Sequence, residues 1–254
     1  MSDEKRPRLL IVKTGSAFAE AIRRHGDFDD WFRRALGEEC FGFDTVNVHE
    51  HEPLPVADAI GDYAGVVVTG SPAMVSHRHE WSEKAAAWLA KIIDRDAAPL
   101  LGVCYGHQLI AHALGGHVGP NPHGRRMGTV ALEWIDTDDP LTGALEQGAS
   151  VHVTHLEAVL DPPPGARVIG HSQGDPYHVL HFGGRSWGVQ FHPEFTAGIM
   201  RCYIEARASL LDGEGLDPNR LLQAVTETDS GTDLLARFGR LCRRQQSPAH
   251  APIT

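Results

Sequence analysis

The chain is short of several things that would each dictate a class of protein. Cysteine is scarce: Cys40, Cys104, Cys202 and Cys242 are widely spaced, with no CxxC pair and no short Cys/His ladder. That pattern argues against a disulfide-stapled scaffold and for a reducing, cytoplasmic compartment. Long apolar runs are missing too. The run nearest the start, Leu9 to Val12, is too short for a signal-peptide core or a bilayer span, so no membrane association is expected. Positive charge is in deficit: 23 Lys and Arg face 33 Asp and Glu, a net charge of -10, which argues against nucleic acid as a partner. It leaves small substrates open, because a local pocket can oppose the global sign.

What is present in excess is histidine, sixteen in all. The pairs His49/His51 and His77/His79 are spaced like ligands, but neither lies in a known ligand frame such as HExxH. No metal and no other cofactor is expected. At 42% hydrophobic and 22% charged, the composition is that of an ordinary globular chain with a sizeable core.

Short β-branched runs alternate with helix-length amphipathic stretches. Strands are expected at Leu9–Lys13, Phe43–Val48, Gly65–Thr69 and Leu100–Val103, and helices at Phe28–Leu36, His79–Asp94 and Tyr105–Leu114. The alternation predicts an α/β fold with a doubly wound, mostly parallel sheet and flanking helices. After residue 125 the texture changes. Gly128–Trp134, Ala166–His171, Tyr177–Phe182 and Ser186–Phe191 read as strands joined by turns, some forming an antiparallel edge. Ala197–Leu211 reads as a helix behind the last strand. Residues 1–212 are expected to form one domain, and 213–254 a C-terminal helical extension. In that extension Asp217-Pro218 starts one helix, and Leu234, Leu235, Phe238, Leu241 and Cys242 stripe another. The stripe is expected to pack back on the domain rather than await a partner. The polar tail from Gln245 onward is expected to fray.

The chemistry concentrates in Leu100-Leu-Gly-Val-Cys104-Tyr-Gly-His-Gln108. A strand runs straight into Cys104 and a helix starts at once after it, with Gly102 and Gly106 at two residues on either side. This is the G-x-nucleophile-x-G elbow in cysteine form. The sharp turn pushes the side chain out of the sheet's end, and the ±2 positions must be small to clear it. A helix N-terminus favours thiolate over thiol, and the Tyr105 N–H points to where an oxyanion would form.

A thiol nucleophile needs a base. In Trp187-Gly-Val-Gln-Phe-His192-Pro-Glu194 a strand-like alternation ends at His192. Glu194 is close enough to accept from the imidazole and fix its tautomer. Both motifs sit at C-terminal strand ends, where parallel sheets collect active sites. His107, His112, His152 and His155 are rival bases; His107 ranks below His192 because it lies on the helix after Cys104 and points aside. A third segment, Val68-Thr69-Gly70-Ser71-Pro72, ends a buried strand at the same edge. A backbone N–H from Gly70 or Ser71 would supply a second oxyanion donor.

The segments GVCYGHQLIAHALGG, VTGSP and VQFHPE, spread over roughly residues 9–211, resemble the class I glutamine amidotransferases of the Cys-His-Glu type. The resemblance is greatest to the glutaminase domain of GMP synthetases and its free-standing relatives. It implies a flavodoxin-like fold and glutamine hydrolysis through a γ-glutamyl thioester, with Cys104 as nucleophile, His192 as acid/base and Glu194 as orienter. It also implies that Gln108 contacts the substrate glutamine and that Thr154 and His155 line the same pocket. The segment Gly124-Arg-Arg126-Met-Gly128 departs from the family, whose members often carry an acidic residue near Arg126.

No Walker A motif and no SGGxDS-type pyrophosphatase loop is present, and about 40 residues after 212 are too few for a synthetase domain, so a complete GMP synthetase is not expected. Three readings follow. One is a glutaminase that passes ammonia to a separate synthetase subunit. The next is a γ-glutamyl hydrolase or peptidase that uses the same thioester. The last is a non-catalytic binding or regulatory module, disfavoured by the intact Cys104, His192 and Glu194.

Overall fold

The structure is a computed structural model that describes residues 6–245; the polar tail expected beyond Gln245 lies outside the described residues. In chain order the first half comprises β1 (Arg8–Lys13), α1 (Ala19–His25), α2 (Phe28–Leu36), β2 (Gly42–Asn47), β3 (Gly65–Val68), α3 (Glu80–Asp94), β4 (Leu100–Val103), α4 (Tyr105–Ala113) and β5 (His117–Pro120). The second half comprises β6 (Arg126–Ile135), β7 (Ser150–His155), β8 (Glu157–Asp161), β9 (Arg167–Ser172), β10 (Asp175–Gly183) and β11 (Ser186–Val189). These are followed by α5 (Ala197–Ala206), α6 (Ala208–Gly213), α7 (Pro218–Ala224) and α8 (Ser230–Gln245).

Nine strands form one sheet in the order β2-β1-β3-β4-β11-β10-β9-β6-β7, and β5 pairs with β8 in a separate ribbon. From β2 to β11 every pairing is parallel; from β11 to β7 every pairing is antiparallel. The parallel half has the 2-1-3-4-then-last order of flavodoxin-like folds. Its central strands β3, β4 and β11 are buried along their whole length, as strands covered on both faces must be. Leu9 and Ile11 enter one core layer with Phe32 and Leu36 of α2. Leu10 and Val12 enter the other, with Ala85 and Leu89 of α3.

One expectation is corrected. The helix expected over Ala197–Leu211 is two helices: α5 ends and α6 begins at Arg207, whose backbone (φ -111°, ψ 11°) leaves helical geometry. No proline marks that break; it coincides with the Arg207 guanidinium lying over the rings of Phe18 and Tyr203. The antiparallel edge expected after residue 125 is present, and it takes in β7, which is not among the expected strands; β5 and β8 pair in the separate ribbon. The stripe on α8 lies in the main core: Leu234, Leu235, Phe238 and Cys242 are buried in the layer that holds Phe32 and Phe41. Among the described residues no helix is long and apolar enough to cross a membrane, and all four cysteines are free.

Candidate active site

The end of β4 turns directly into α4 at Cys104, which has φ 51° and ψ -101°, a conformation L-residues avoid. Such strain costs on the order of 1–3 kcal/mol and persists only where the surroundings impose it. Here the surroundings are backbone. The Cys104 N–H donates to Val189 O at 2.8 Å, and Gly106 N–H to Thr69 O at 3.2 Å, so the elbow is tied to both neighbouring strands. A Cβ on Gly106 would sit 2.4 Å from Val68 O, and one on Gly102 would sit 2.6 Å from Gly106 O. Neither obstacle can swing away. Gly106→Ala should therefore lower stability by about 1–3 kcal/mol or more, read as a shift in the denaturant midpoint, with activity falling alongside. An unchanged midpoint would mean the elbow has room the geometry denies.

The turn after β3 is fastened to the turn after β1. Thr14 Oγ1 donates to Thr69 O and Gly70 O at 3.0 and 2.9 Å, and Ser71 Oγ donates to Thr14 O at 2.7 Å. This presents the backbone of Gly70 and Ser71 at the sheet edge beside Cys104. Tyr105, as the first residue of α4, has an N–H without an intrahelical partner. Its phenol is buried and bonded to Ser82 Oγ at 2.6 Å, which pins the start of α4 to α3.

His192 follows β11 and meets Glu194 at 2.7 Å, Nδ1 to Oε1, with both side chains buried. The ring lies between Phe28 and Phe195, stacked at 6.4 and 4.2 Å. Burial alone would push the imidazole down, but the charges of Glu194 and Cys104 outweigh it and hold His192 up at about 10. Nε2 makes no well-formed hydrogen bond among the described residues, although Cys104 couples to the ring electrostatically. That nitrogen is left facing the site. A pKa raised from 6.5 favours the folded state fully below pH 6.5, and this contribution fades as pH rises through about 10. The His192 ring protons should accordingly keep their imidazolium shift past pH 8 in an NMR titration; a midpoint near 6.5 would contradict the coupling.

The rival histidines are walled in by burial or lie against other groups. His107 is fully buried against Phe182, and burial, followed by nearby His178, pushes it down to about 3. His152 contacts Thr129 Oγ1 at 3.2 Å and is pushed down to about 4 by burial and by His192. His112 pairs with Glu83 at 3.1 Å. His155 lies 3.1 Å from buried Asp175. Burial opposes the charge on Asp175, but the imidazoles of His155 and His178 close beside it hold its carboxyl well below the usual range. Of the other histidine pairs, His49 Nδ1 contacts Lys13 O at 3.1 Å, and His79 stacks on Trp81.

Two adjoining lobes open at this edge. One, of about 220 Å³, is lined by Cys104, Tyr105, Gln108, His155 and Glu157. The other, of about 190 Å³, is lined by His192, Phe18, Phe28 and Tyr203. Ser71, Pro72, Thr154 and Arg207 border both. Thr154 O accepts a long bond from Cys104 Sγ at 3.8 Å. Gln108 reaches the first lobe with its Nε2 already committed to Glu157 O at 2.7 Å and Gln190 Oε1 at 3.0 Å. Arg126 lines neither lobe; it donates to Gln173 O at 2.9 Å, and Arg125 is the neighbour that faces the site. Sequence reasoning missed Phe28, Thr14, Asp175, Arg125 and Arg207. Asp27 is the nearest thing to a signal for Phe28: it caps α2 and bonds Lys13 at 2.7 Å, setting Phe28 beside His192. Nothing in one sequence flags the others, whose roles arise from distant segments meeting.

The model of the family "Glutamine amidotransferase class-I" matches residues 27–207. The chain is 35% identical over 193 residues to a glutamine-hydrolyzing GMP synthase of Aeropyrum pernix, covering 74% of the chain but 33% of that protein. It thus spans about a third of the length of the GMP synthases it matches. It is 35% identical over 142 residues to a glutamine-hydrolyzing GMP synthase subunit of Ignicoccus hospitalis, covering 56% of the chain and 71% of that protein. With gamma-glutamyl peptidase 5 of Arabidopsis thaliana it shares 25% identity over 205 residues, 79% of the chain and 80% of that protein. A solved glutamine amidotransferase of Thermotoga maritima superposes with a TM-score of 0.71 at 23% identity, over 96% of this chain and 100% of that one.

Proposed function

The chain belongs to the class I glutamine amidotransferase family, and we propose that it hydrolyses the side-chain amide of glutamine through a γ-glutamyl thioester on Cys104, releasing glutamate and ammonia. The observation that carries this reading is the convergence of the strained Cys104 elbow with the buried His192–Glu194 pair. The acyl group occupies the Cys104 lobe, where Thr154, Gln108 and His155 line the walls and the Glu157 carboxylate suits the substrate's α-ammonium. Cys104 Sγ attacks the γ-carbonyl carbon. The N–H of Tyr105 and that of Ser71 or Gly70 receive the oxyanion, each donor contributing about 10²–10³ in rate. His192 Nε2 gives its proton to the departing nitrogen as the C–N bond breaks. Neutral His192 then takes a proton from water, whose oxygen displaces the thiolate. In this reading the ammonia goes to a separate acceptor enzyme, as the naming of the Ignicoccus relative as one subunit of a synthase suggests.

The His192-side lobe favours a second reading, γ-glutamyl peptide or amine hydrolysis. Ammonia is close in size to water, roughly 30 Å³, and does not need a space of about 190 Å³. Incubation with glutamine and a panel of γ-glutamyl amides, followed by mass spectrometry, tests the shared chemistry. A γ-glutamyl adduct on Cys104 is expected; its absence with every substrate would overturn the thioester.

A further inference from the structure

The two lobes divide the machinery. Cys104 lines one and His192 the other, so a scissile bond reaching from nucleophile to acid crosses the boundary between them. The acyl part lies on the cysteine side, and whatever leaves with the nitrogen lies on the histidine side. That second lobe has aromatic walls, Phe18, Phe28 and Tyr203, and Ser16 at its margin. Besides the His192 imidazolium, already paired with Glu194, the cation lining it is Arg207, whose guanidinium lies over Phe18 and Tyr203 at 5.3 and 4.8 Å.

Arg207 has no carboxylate partner among the described residues. Its NH1 nitrogen is buried and has no hydrogen-bond partner among them. Arg125, across the site, is held bidentately by Glu214 at 2.7 and 3.1 Å, so it neither serves Arg207 nor needs an external anion. A guanidinium whose buried nitrogen has no counter-charge is one that a ligand anion would complete. Burial pulls its pKa below the ordinary value.

We propose that this lobe is a leaving-group subsite with Arg207 as its anion partner, and that the favoured substrates are γ-glutamyl amino acids with an apolar side chain. The inference rests on the thioester reading above. The sum of the reaction is γ-glutamyl amino acid plus water giving glutamate plus the free amino acid: the Cys104 S–C bond forms as C–N breaks, and the amine takes the His192 proton. Arg207 touches the leaving amine's carboxylate and takes no part in bond making.

The test compares γ-glutamyl-phenylalanine with γ-glutamyl-phenylalaninamide, which differs by the carboxylate alone. The full chain is expected to prefer the carboxylate by about 10–100-fold in kcat/KM, the worth of a charge-assisted pair. In Arg207→Gln the ratio should fall to near one, chiefly through a higher KM for the carboxylate substrate. Arg207→Lys keeps charge and stem and should retain an intermediate ratio; it also serves if the glutamine variant fails to fold. Equal turnover of both compounds by the unmodified chain, or a ratio that survives both substitutions, overturns the subsite while leaving the thioester standing. Absence of any Cys104 adduct, with glutamine included, removes the thioester and the subsite together.

Discussion

Cys104→Ala is expected to lower glutamine hydrolysis by at least about 10⁴-fold and to abolish the γ-glutamyl adduct. Losing the nucleophile leaves only the donors of the elbow and Gly70–Ser71 turn to act on water. The fold should be little affected. The lost atoms are one sulfur and its long 3.8 Å contact to Thr154 O, so a change of about 1 kcal/mol or less is expected. The backbone bonds that impose the positive φ at this position do not involve the side chain. Thermal unfolding alongside an ammonia-release assay distinguishes the two effects. Substantial turnover by a folded Cys104→Ala protein would remove the nucleophile assignment.

The second large effect is expected at His192. His192→Ala should cost at least about 10³-fold in kcat, because the other histidines near the site are buried or lie against other groups and are not placed to protonate the leaving nitrogen. It should also destabilise the fold. Glu194 is buried with Oε2 unpaired among the described residues, and its other oxygen depends on His192. Removing the imidazolium strands that carboxylate in a low-dielectric site, which typically costs about 3–5 kcal/mol. His107→Ala is the contrasting variant. It opens a cavity beneath β11 and should lower stability by about 2–4 kcal/mol. Turnover per folded molecule should stay within about tenfold, since a group pushed down to about 3 cannot share the acid/base work at neutral pH. If His107→Ala is inactive and His192→Ala active, the base has been assigned to the wrong histidine.

The two histidines show how far a sequence reaches. Both lie next to motif residues, and sequence reasoning could rank them only by asking where strands end. The decisive difference is environmental. His107 is walled by Phe182 and Gly188, whereas His192 has a carboxylate on one nitrogen and an open cleft on the other. Likewise Gln108 and His155 fall in the pocket lining, yet their nitrogens face Glu157, Gln190 and Asp175. Local pattern locates such residues without saying which of their atoms remain free.

What the sequence by itself determined is local and steric. The glycines around Cys104, the continuous apolar runs of β3 and β4, and the His-Pro-Glu turn need only near neighbours to have their meaning. A tight elbow excludes a Cβ wherever it occurs, and buried parallel strands must be apolar on both faces. The tertiary structure alone decided what depends on segments far apart in the chain. It broke the helix at Arg207 and brought Phe28 and Phe195 to His192. It also placed Cys104 and His192 in different lobes of the cleft. Cys104 therefore remains the residue most plainly written in the sequence. In the proposed reaction, what leaves its acyl group is decided by Phe18, Tyr203 and Arg207, which are close to one another only because the chain folds.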